Sequence, residues 1–422
     1  MSRVVILSLW LVAEGVAQTS ASLRGLVRDA DAAPVQGARV EIRNQATGKV
    51  TSQETNAAGE FVEPVLEPGR YQVSAKAERF QDYERRDLDL GVGQKLTLRI
   101  RMLTMASKES MEINAGAGQL NVSSGALSVN VDKDQIRDLP LNGRSFEQLS
   151  LLQPGVTLAN SAGSSFYGAR GRAISVNGAR PEQNSFLLDG TDMMNAFNKT
   201  PGSAAGVLLG VEGVLEYQVL TNSYAPEFGR AAGGVVNVAT RGGANQWNGS
   251  LFYFLRNSAL DAKNYFNPAG AEIPGFKRNQ FGGTVGGAIR KDRTFFFLSY
   301  EQLKERLGVI SSTAVPDAEA RRGMLPTGPV AVSPVIQPYL NRLFPVANGR
   351  SLGGGAAEYN YSLSQPTDDR FAQGRVDHRF SDRNSVFARY TITEGTVDRV
   401  PLNTVPASRL LETGRNPYVG AE

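Results

Sequence analysis

The chain contains no cysteine and a single histidine, His378. Without thiols there is no disulfide framework, no cysteine nucleophile and no zinc–thiolate site. One imidazole cannot build a multi-histidine metal centre, and any Ser-His-Asp triad would have to use it. Long hydrophobic runs are also missing. The longest, residues 4–13, is well short of the ~20 apolar residues that carry a helix across a bilayer. A membrane-spanning fold would therefore have to be a β-barrel, the other structure that satisfies every backbone polar group in lipid. Nor is there a block of one charge. Lys and Arg number 45 against 41 Asp and Glu, a net of +4, and the small excess is spread along the chain. On that pattern nucleic acid is not an expected partner.

What the chain does have is glycine, 45 of 422 residues, above the roughly 7% of ordinary proteins. With plentiful Asn, Ser and Thr, this composition predicts a mainly β, turn-rich fold, and the length predicts several domains. At the start, Arg3 precedes the apolar run, and the small residues Gly15 and Ala17 follow it. Residues 1–17 therefore read as an export signal peptide and the remainder as extracytoplasmic.

Residues 20–103 alternate short β-type runs with turns at the spacing of a small sandwich. The runs are 23–28, 38–43, 50–55, 59–65, 71–76, 83–90 and 96–102. Ala33-Pro34, Ala46-Thr47-Gly48, Asn56-Ala57-Ala58-Gly59 and Glu67-Pro68-Gly69 separate them, with Pro fixing φ and Gly admitting positive φ. Seven such strands predict a β-sandwich. Gly25-Leu26-Val27-Arg28-Asp29, Pro34-Val35-Gln36-Gly37-Ala38 and Leu66-Glu67-Pro68-Gly69-Arg70-Tyr71 resemble the carboxypeptidase regulatory-like, transthyretin-like domain, a module that is not catalytic in that family.

Residues 121–245 carry motifs in a definite order. They are Ile136-Arg137-Asp138-Leu139-Pro140-Leu141-Asn142-Gly143-Arg144, Gln153-Pro154-Gly155-Val156, Ile174-Ser175-Val176-Asn177-Gly178-Ala179-Arg180, Phe186-Leu187-Leu188-Asp189-Gly190-Thr191, Val211-Glu212-Gly213-Val214-Leu215-Glu216-Tyr217 and Tyr224-Ala225-Pro226-Glu227-Phe228-Gly229-Arg230. In this order they resemble the plug domain of Oar-like TonB-dependent outer-membrane receptors. Physically, the segment reads as a compact α/β plug, with strands at 219–222 and 235–240 and a short helix at 146–152 stopped by Pro154. Gly229, Gly233 and Gly234 let backbone turn sharply against a wall. A phosphate-binding loop is disfavoured, because no Gly-Lys-Ser/Thr follows. Between sandwich and plug, the small and polar residues 104–120 read as a linker. Within it Glu109, Ser110, Met111, Glu112 and Ile113 resemble a TonB box, an extended peptide that adds a strand to its partner through main-chain hydrogen bonds.

From 246 to 422 the pattern changes to longer strands with one apolar and one polar face. Ala372, Gly374, Val376 and Phe380 oppose Gln373, Arg375, Asp377 and Arg379; Val386, Ala388, Tyr390 and Ile392 oppose Arg389, Thr391 and Thr393; Phe281, Val285 and Ile289 oppose Thr284 and Arg290. Runs 249–256 and 294–301 add two more strands. Short turns at 291–293 and 381–384 alternate with long connections at 257–278 and 302–369, the outer-membrane pattern. A soluble sandwich rarely carries loops of that length. Asn279-Gln280-Phe281-Gly282-Gly283 and Phe295-Phe296-Phe297 also resemble the opening barrel strands of Oar-like receptors. About five strands are expected, with the residues after 394 forming another loop. Family barrels are ~22-stranded, so the expectation is an incomplete antiparallel outer-membrane β-barrel in a C-terminally truncated receptor.

The resemblance implies a TonB-dependent receptor for energised uptake. Its implied partners are TonB with the inner-membrane energising complex, outer-membrane lipid, and an extracellular small-molecule or oligosaccharide substrate such as a metal chelate or glycan. No catalytic residue, cofactor or resident metal is implied. The alternative is a non-transporting periplasmic or surface ligand-binding protein. Asp189 and Asp192 could flank a cation but read more simply as turn groups. Arg170, Arg172 and Arg180 suit either an anionic substrate or carboxylates of a barrel wall. The aromatic groups at 252–254 and 295–297 suit either a sugar or a membrane-interface girdle. His378 reads as a strand-packing residue at the membrane interface.

Overall fold

The computed structural model describes residues 19–105, 127–131, 135–136, 144–159, 173–194, 201–203, 209–224, 228–229, 231–262, 273, 275–381, 384–399 and 408–421. The export segment 1–17, the TonB-box residues Glu109, Ser110, Met111, Glu112 and Ile113, and Arg170 and Arg172 lie outside them.

Strands β1 (Ala21–Arg28), β2 (Arg39–Asn44), β3 (Val50–Glu54), β4 (Glu60–Leu66), β5 (Gly69–Lys76), β6 (Tyr83–Leu90) and β7 (Lys95–Arg101) fall within two residues of the expected runs. They form two sheets, β4-β1-β7 and β3-β2-β5-β6, with β1 and β7 parallel. Period-two alternation turns Leu23, Val27, Val40, Ile42, Phe61, Val73, Leu98 and Ile100 into one core between the sheets. Burial of each large aliphatic contributes about 1.5–3 kcal/mol. Gly25 is required there, since a Cβ would lie 1.9 Å from the Phe61 ring.

The plug is a second body. Its sheet runs β12-β11-β14-β13-β8, built from β8 (Leu127–Val131), β11 (Ser185–Leu188), β12 (Thr191–Asp192), β13 (Val214–Asn222) and β14 (Val235–Thr240), while β9 (Val156–Leu158) pairs with β10 (Ile174–Val176). Strands β11 and β14 are parallel and buried along their whole lengths. Parallel strands are covered on both faces, so even their polar members Ser185, Asn237 and Thr240 are buried. The expected short helix is a 3₁₀ segment, Phe146–Leu152, after which Gln153 turns extended ahead of Pro154.

The third body is a wall of long antiparallel strands in the order β15-β16-β17-β21-β22-β23, comprising β15 (Asn248–Asn257), β16 (Phe276–Arg290), β17 (Thr294–Pro316), β21 (Ala356–Arg379), β22 (Ser385–Arg399) and β23 (Leu410–Ala421). Between β17 and β21 sit α1 (Ala318–Arg321), β18 (Met324–Leu325), β19 (Gly328–Pro329), α2 (Gln337–Leu343) and β20 (Ser351–Gly353). Among the described residues this sheet is open, with β15 and β23 at its edges.

Two expectations need correction. The connection expected at 302–369 is only 317–355, because β17 and β21 run to 23 and 24 residues and pair along their full lengths. The terminal loop expected after 394 contains a sixth strand, β23, paired with β22 over 12 positions. Pro417, Gly414 and Gly420 in that segment disguise it. Proline is tolerated in a strand that lies at a sheet edge.

The alternation itself is as expected. Leu251, Tyr253, Val285, Ile289, Leu298, Val376, Phe380, Val386 and Tyr390 are exposed on one face, whereas Gln280, Ser299, Glu301, Gln373, Arg375, Arg389, Thr391 and Thr393 are buried on the other. A polar face buried against the plug and an apolar face turned outward is the arrangement of a wall between lipid and an enclosed interior.

Candidate functional site: the plug–wall interface

The buried polar face of the wall meets the plug at two charged clusters, and neither is local in sequence. The first is built on Arg144, which enters a left-handed backbone conformation (φ +54°) at the start of the 3₁₀ segment. Its guanidinium lies 2.8 Å from Glu212 Oε1 of the plug and 3.4 Å from Glu301 Oε1 of β17. It also stacks over the rings of Phe252 and Phe254 on β15, at 4.2 and 5.0 Å. Glu301 is only 1% exposed, and it accepts hydrogen bonds from Gly210 N at 2.9 Å and Gln280 Nε2 at 2.6 Å. Gly210 has φ +93°, and a Cβ there would lie 2.4 Å from the Phe371 ring of β21. Only glycine brings this backbone so close to the wall. Nearby, the Ser203 hydroxyl donates to the fully buried Asp369.

The second cluster reverses the polarity, with the carboxylate on the plug and the cations on the wall. Asp189 sits in the turn after β11 with φ +44°. It accepts from Thr240 N at 2.8 Å and Thr240 Oγ1 at 2.7 Å. Arg389 Nε of β22 lies 2.8 Å away and Arg375 Nη1 of β21 3.7 Å away. Arg389 is fully buried, and it also donates to Leu188 O at 3.0 Å and to Thr391 Oγ1 at 2.9 Å. Arg375 is shared with Asp377 at 2.8 Å and lies 4.2 Å from the Phe387 ring. Behind both clusters the plug core closes on Tyr217, whose phenol burial pushes well above its usual range, against a smaller opposing effect of Ser150.

Buried ions of this kind are expensive to leave alone, since removing one partner typically costs about 3–5 kcal/mol. The arrangement can therefore hold a separate body inside a wall and yet let it go once the partners part. Among the described residues no group of three His, Asp or Glu is placed to hold a metal ion.

Models of three domain families match the chain: the carboxypeptidase regulatory-like domain over residues 22–103, the TonB-dependent receptor plug domain over 119–236, and an outer membrane beta barrel domain over 239–418. The three models follow one another in the order regulatory-like domain, plug and barrel, an arrangement consistent with an Oar-like TonB-dependent receptor. It is 31% identical to the TonB-dependent transporter Oar of Myxococcus xanthus over 262 residues, which is 58% of this chain and 23% of that protein. It is 31% identical to the ferrienterobactin receptor of Escherichia coli K12 over 144 residues, 32% of this chain and 19% of that protein. The matched parts are thus under a quarter of either relative's length. The outer membrane transporter YddB from Escherichia coli is a structural neighbour at 16% identity and a TM-score of 0.44, covering 68% of this chain and 35% of that one.

Several residues singled out from sequence have clear positions in this chain. Asp189 faces arginines where a cation had been an option, and Asp192 accepts from Met194 N in its own turn. Arg180 is exposed, and among the described residues Arg144 is the plug arginine that meets a wall carboxylate. The aromatic triplets are split by strand alternation. Phe252 turns to Arg144 while Tyr253 faces outward, and Phe295 and Phe297 are buried while Phe296 packs edge-on against Trp247 at 5.0 Å. His378 bonds Thr294 Oγ1 at 2.9 Å and packs on Phe380. Sequence reasoning missed the roles of Arg144, Glu301, Arg375 and Arg389. A charged residue on the wet face of an otherwise apolar strand was the signal available for the last three.

Proposed function

We propose that the receptor serves energised uptake across the outer membrane. Substrate binds over the plug and the long connections, and TonB, driven by the inner-membrane energising complex, pulls the plug from the periplasmic side. Residues 1–17 direct export, and Glu109, Ser110, Met111, Glu112 and Ile113 form the strand that TonB grips by main-chain pairing. The observation that carries this reading is the pair of buried charge clusters of opposite polarity, Arg144 with Glu301 and Asp189 with Arg389. They hold the plug to the wall by contacts that can be broken and remade without unfolding either body. The substrate is a metal chelate or a glycan. A chelate is what the ferrienterobactin receptor's name assigns to that relative, and growth of a deletion strain under iron limitation or on a glycan as sole carbon source separates the two.

The test uses the absence of native cysteine. The full chain carrying Met111→Cys is expressed in cells whose TonB carries a single cysteine. The expected result is a disulfide-linked adduct in the outer-membrane fraction, abolished by Ile113→Pro. A chain that reaches the outer membrane and forms no adduct in energised cells overturns the reading.

A further inference from the structure

The sandwich touches both of the other bodies, and it does so at the end of the wall that carries the short turns. Its turn 91–94, between β6 and β7, presses on the plug. Val92 N donates to Glu216 Oε2 of β13 at 3.1 Å, and Asn130 Nδ2 of β8 donates to Val92 O at 3.3 Å and to Glu216 Oε1 at 2.7 Å. Val92 is fully buried there. Two glycines permit the approach. A Cβ at Gly91 would lie 2.6 Å from Glu216 Oε1, and one at Gly93, where φ is +64°, would lie 2.8 Å from Gln218 Oε1.

The turn between β2 and β3 reaches the wall. Asn245 N donates to Ala46 O at 2.9 Å. Asn245 in turn exchanges two hydrogen bonds with Asp292 of the first short wall turn, each of 2.8 Å. A Cβ at Gly48 would lie 2.4 Å from Asp292 Oδ1. One small domain thus grips the lower plug strand with one glycine turn and the wall rim with the other.

We propose that the sandwich is a periplasmic strap. The surface made by turns 45–49 and 91–94 has as its partner the β8–β13 floor of the plug together with the 291–293 rim of the wall, and while docked it holds the floor in place. The strap must come off before the plug can be drawn from the wall, a clause that alone rests on the uptake reading above. Docking rests on a few hydrogen bonds around the buried Val92, so its release leaves both partners folded.

Amide hydrogen exchange on the full chain in outer membranes tests the strap without TonB. Gly91→Gln on the sandwich side and Glu216→Ala on the plug side should each speed exchange in β8 and β13 at least 10-fold, with β2 and β5 of the sandwich unchanged. Unaltered β8 and β13 exchange in Gly91→Gln overturns the strap, and faster exchange in β2 and β5 would expose simple misfolding of the sandwich as the cause. The double variant Gly91→Cys/Asn130→Cys supplies a second readout. It should close an intramolecular disulfide in resting membranes at a yield far above that of Gly91→Cys/Ser351→Cys, whose second site is at the far tip. The yield should fall several-fold in cells with energised TonB and recover with an uncoupler. A low resting yield overturns docking. A yield indifferent to energy while Met111→Cys still captures TonB overturns release. Failure of the Met111→Cys adduct alone would sink the uptake reading and leave the strap to be decided by exchange and resting yield.

Discussion

Replacing Asp189 by Asn removes one charge at the plug–wall interface and little else. Asn is nearly isosteric and tolerates the positive φ of that turn better than other residues. It can still accept from Thr240. What it cannot do is neutralise Arg389, whose side chain is fully buried with Asp189 as its carboxylate at 2.8 Å. Arg375 retains Asp377 and is the lesser casualty. An uncompensated buried guanidinium costs about 3–5 kcal/mol, roughly two to three and a half orders of magnitude in the equilibrium between the seated and unseated plug. Exchange of the β11 and β14 amides in the full chain reads that opening equilibrium directly, and a 100-fold or greater acceleration is expected. Adding Arg389→Met removes the orphaned charge and should recover most of the loss, since a buried pair replaced by apolar groups is often neutral. Acceleration of less than about fivefold in Asp189→Asn, or a double variant as labile as the single, would refute the idea that this pair seats the plug.

Gly210→Ala should unseat the plug from β21, because its Cβ meets the Phe371 ring at 2.4 Å in a left-handed conformation; the cost, about 1–3 kcal/mol, should appear as faster exchange at 209–214 with the wall unchanged. Arg144→Lys keeps the charge but loses the planar stacking on Phe252 and Phe254, and should cost about 1–2 kcal/mol by urea titration of plug proteolysis. Leu298→Arg, on the outward face, should reduce insertion into lipid by about 2–4 kcal/mol; Gln302→Arg, on the same face four residues further from the short-turn end and beside Asp368, should insert normally. Gly25→Ala should lower the melting temperature of the sandwich alone through its clash with Phe61, by an overpacking cost of about 1–3 kcal/mol.

The sandwich was legible almost strand for strand, because its folding information is local: a period of two and turns marked by Pro, Gly and Asn. The two faces of the wall were legible for the same reason. Strand ends were not. β17 and β21 continue past Tyr300 and before Arg370 with polar outward residues such as Gln302, Lys304 and Asp368, so the apolar alternation stops where lipid stops while the strands go on. The clusters at Asp189 and Glu301 were illegible because their partners stand 157 to 200 positions away in sequence, and nothing local tells Asp189 from any turn aspartate. The aromatic triplets were a different kind of error, since alternation alone forces the middle ring to the opposite side from its neighbours.

The length of the β17–β21 hairpin reaches beyond the membrane. At 24 residues and a tilt near 45°, such a strand climbs roughly 55 Å along the bilayer normal, against ~30 Å of hydrocarbon. Nearly half of it therefore stands clear of the lipid, and it carries the 317–355 segment well beyond the hydrocarbon. The Gly353-Gly354-Gly355 bend, with all three residues at positive φ, is a natural place to insert a peptide tag for display on living cells.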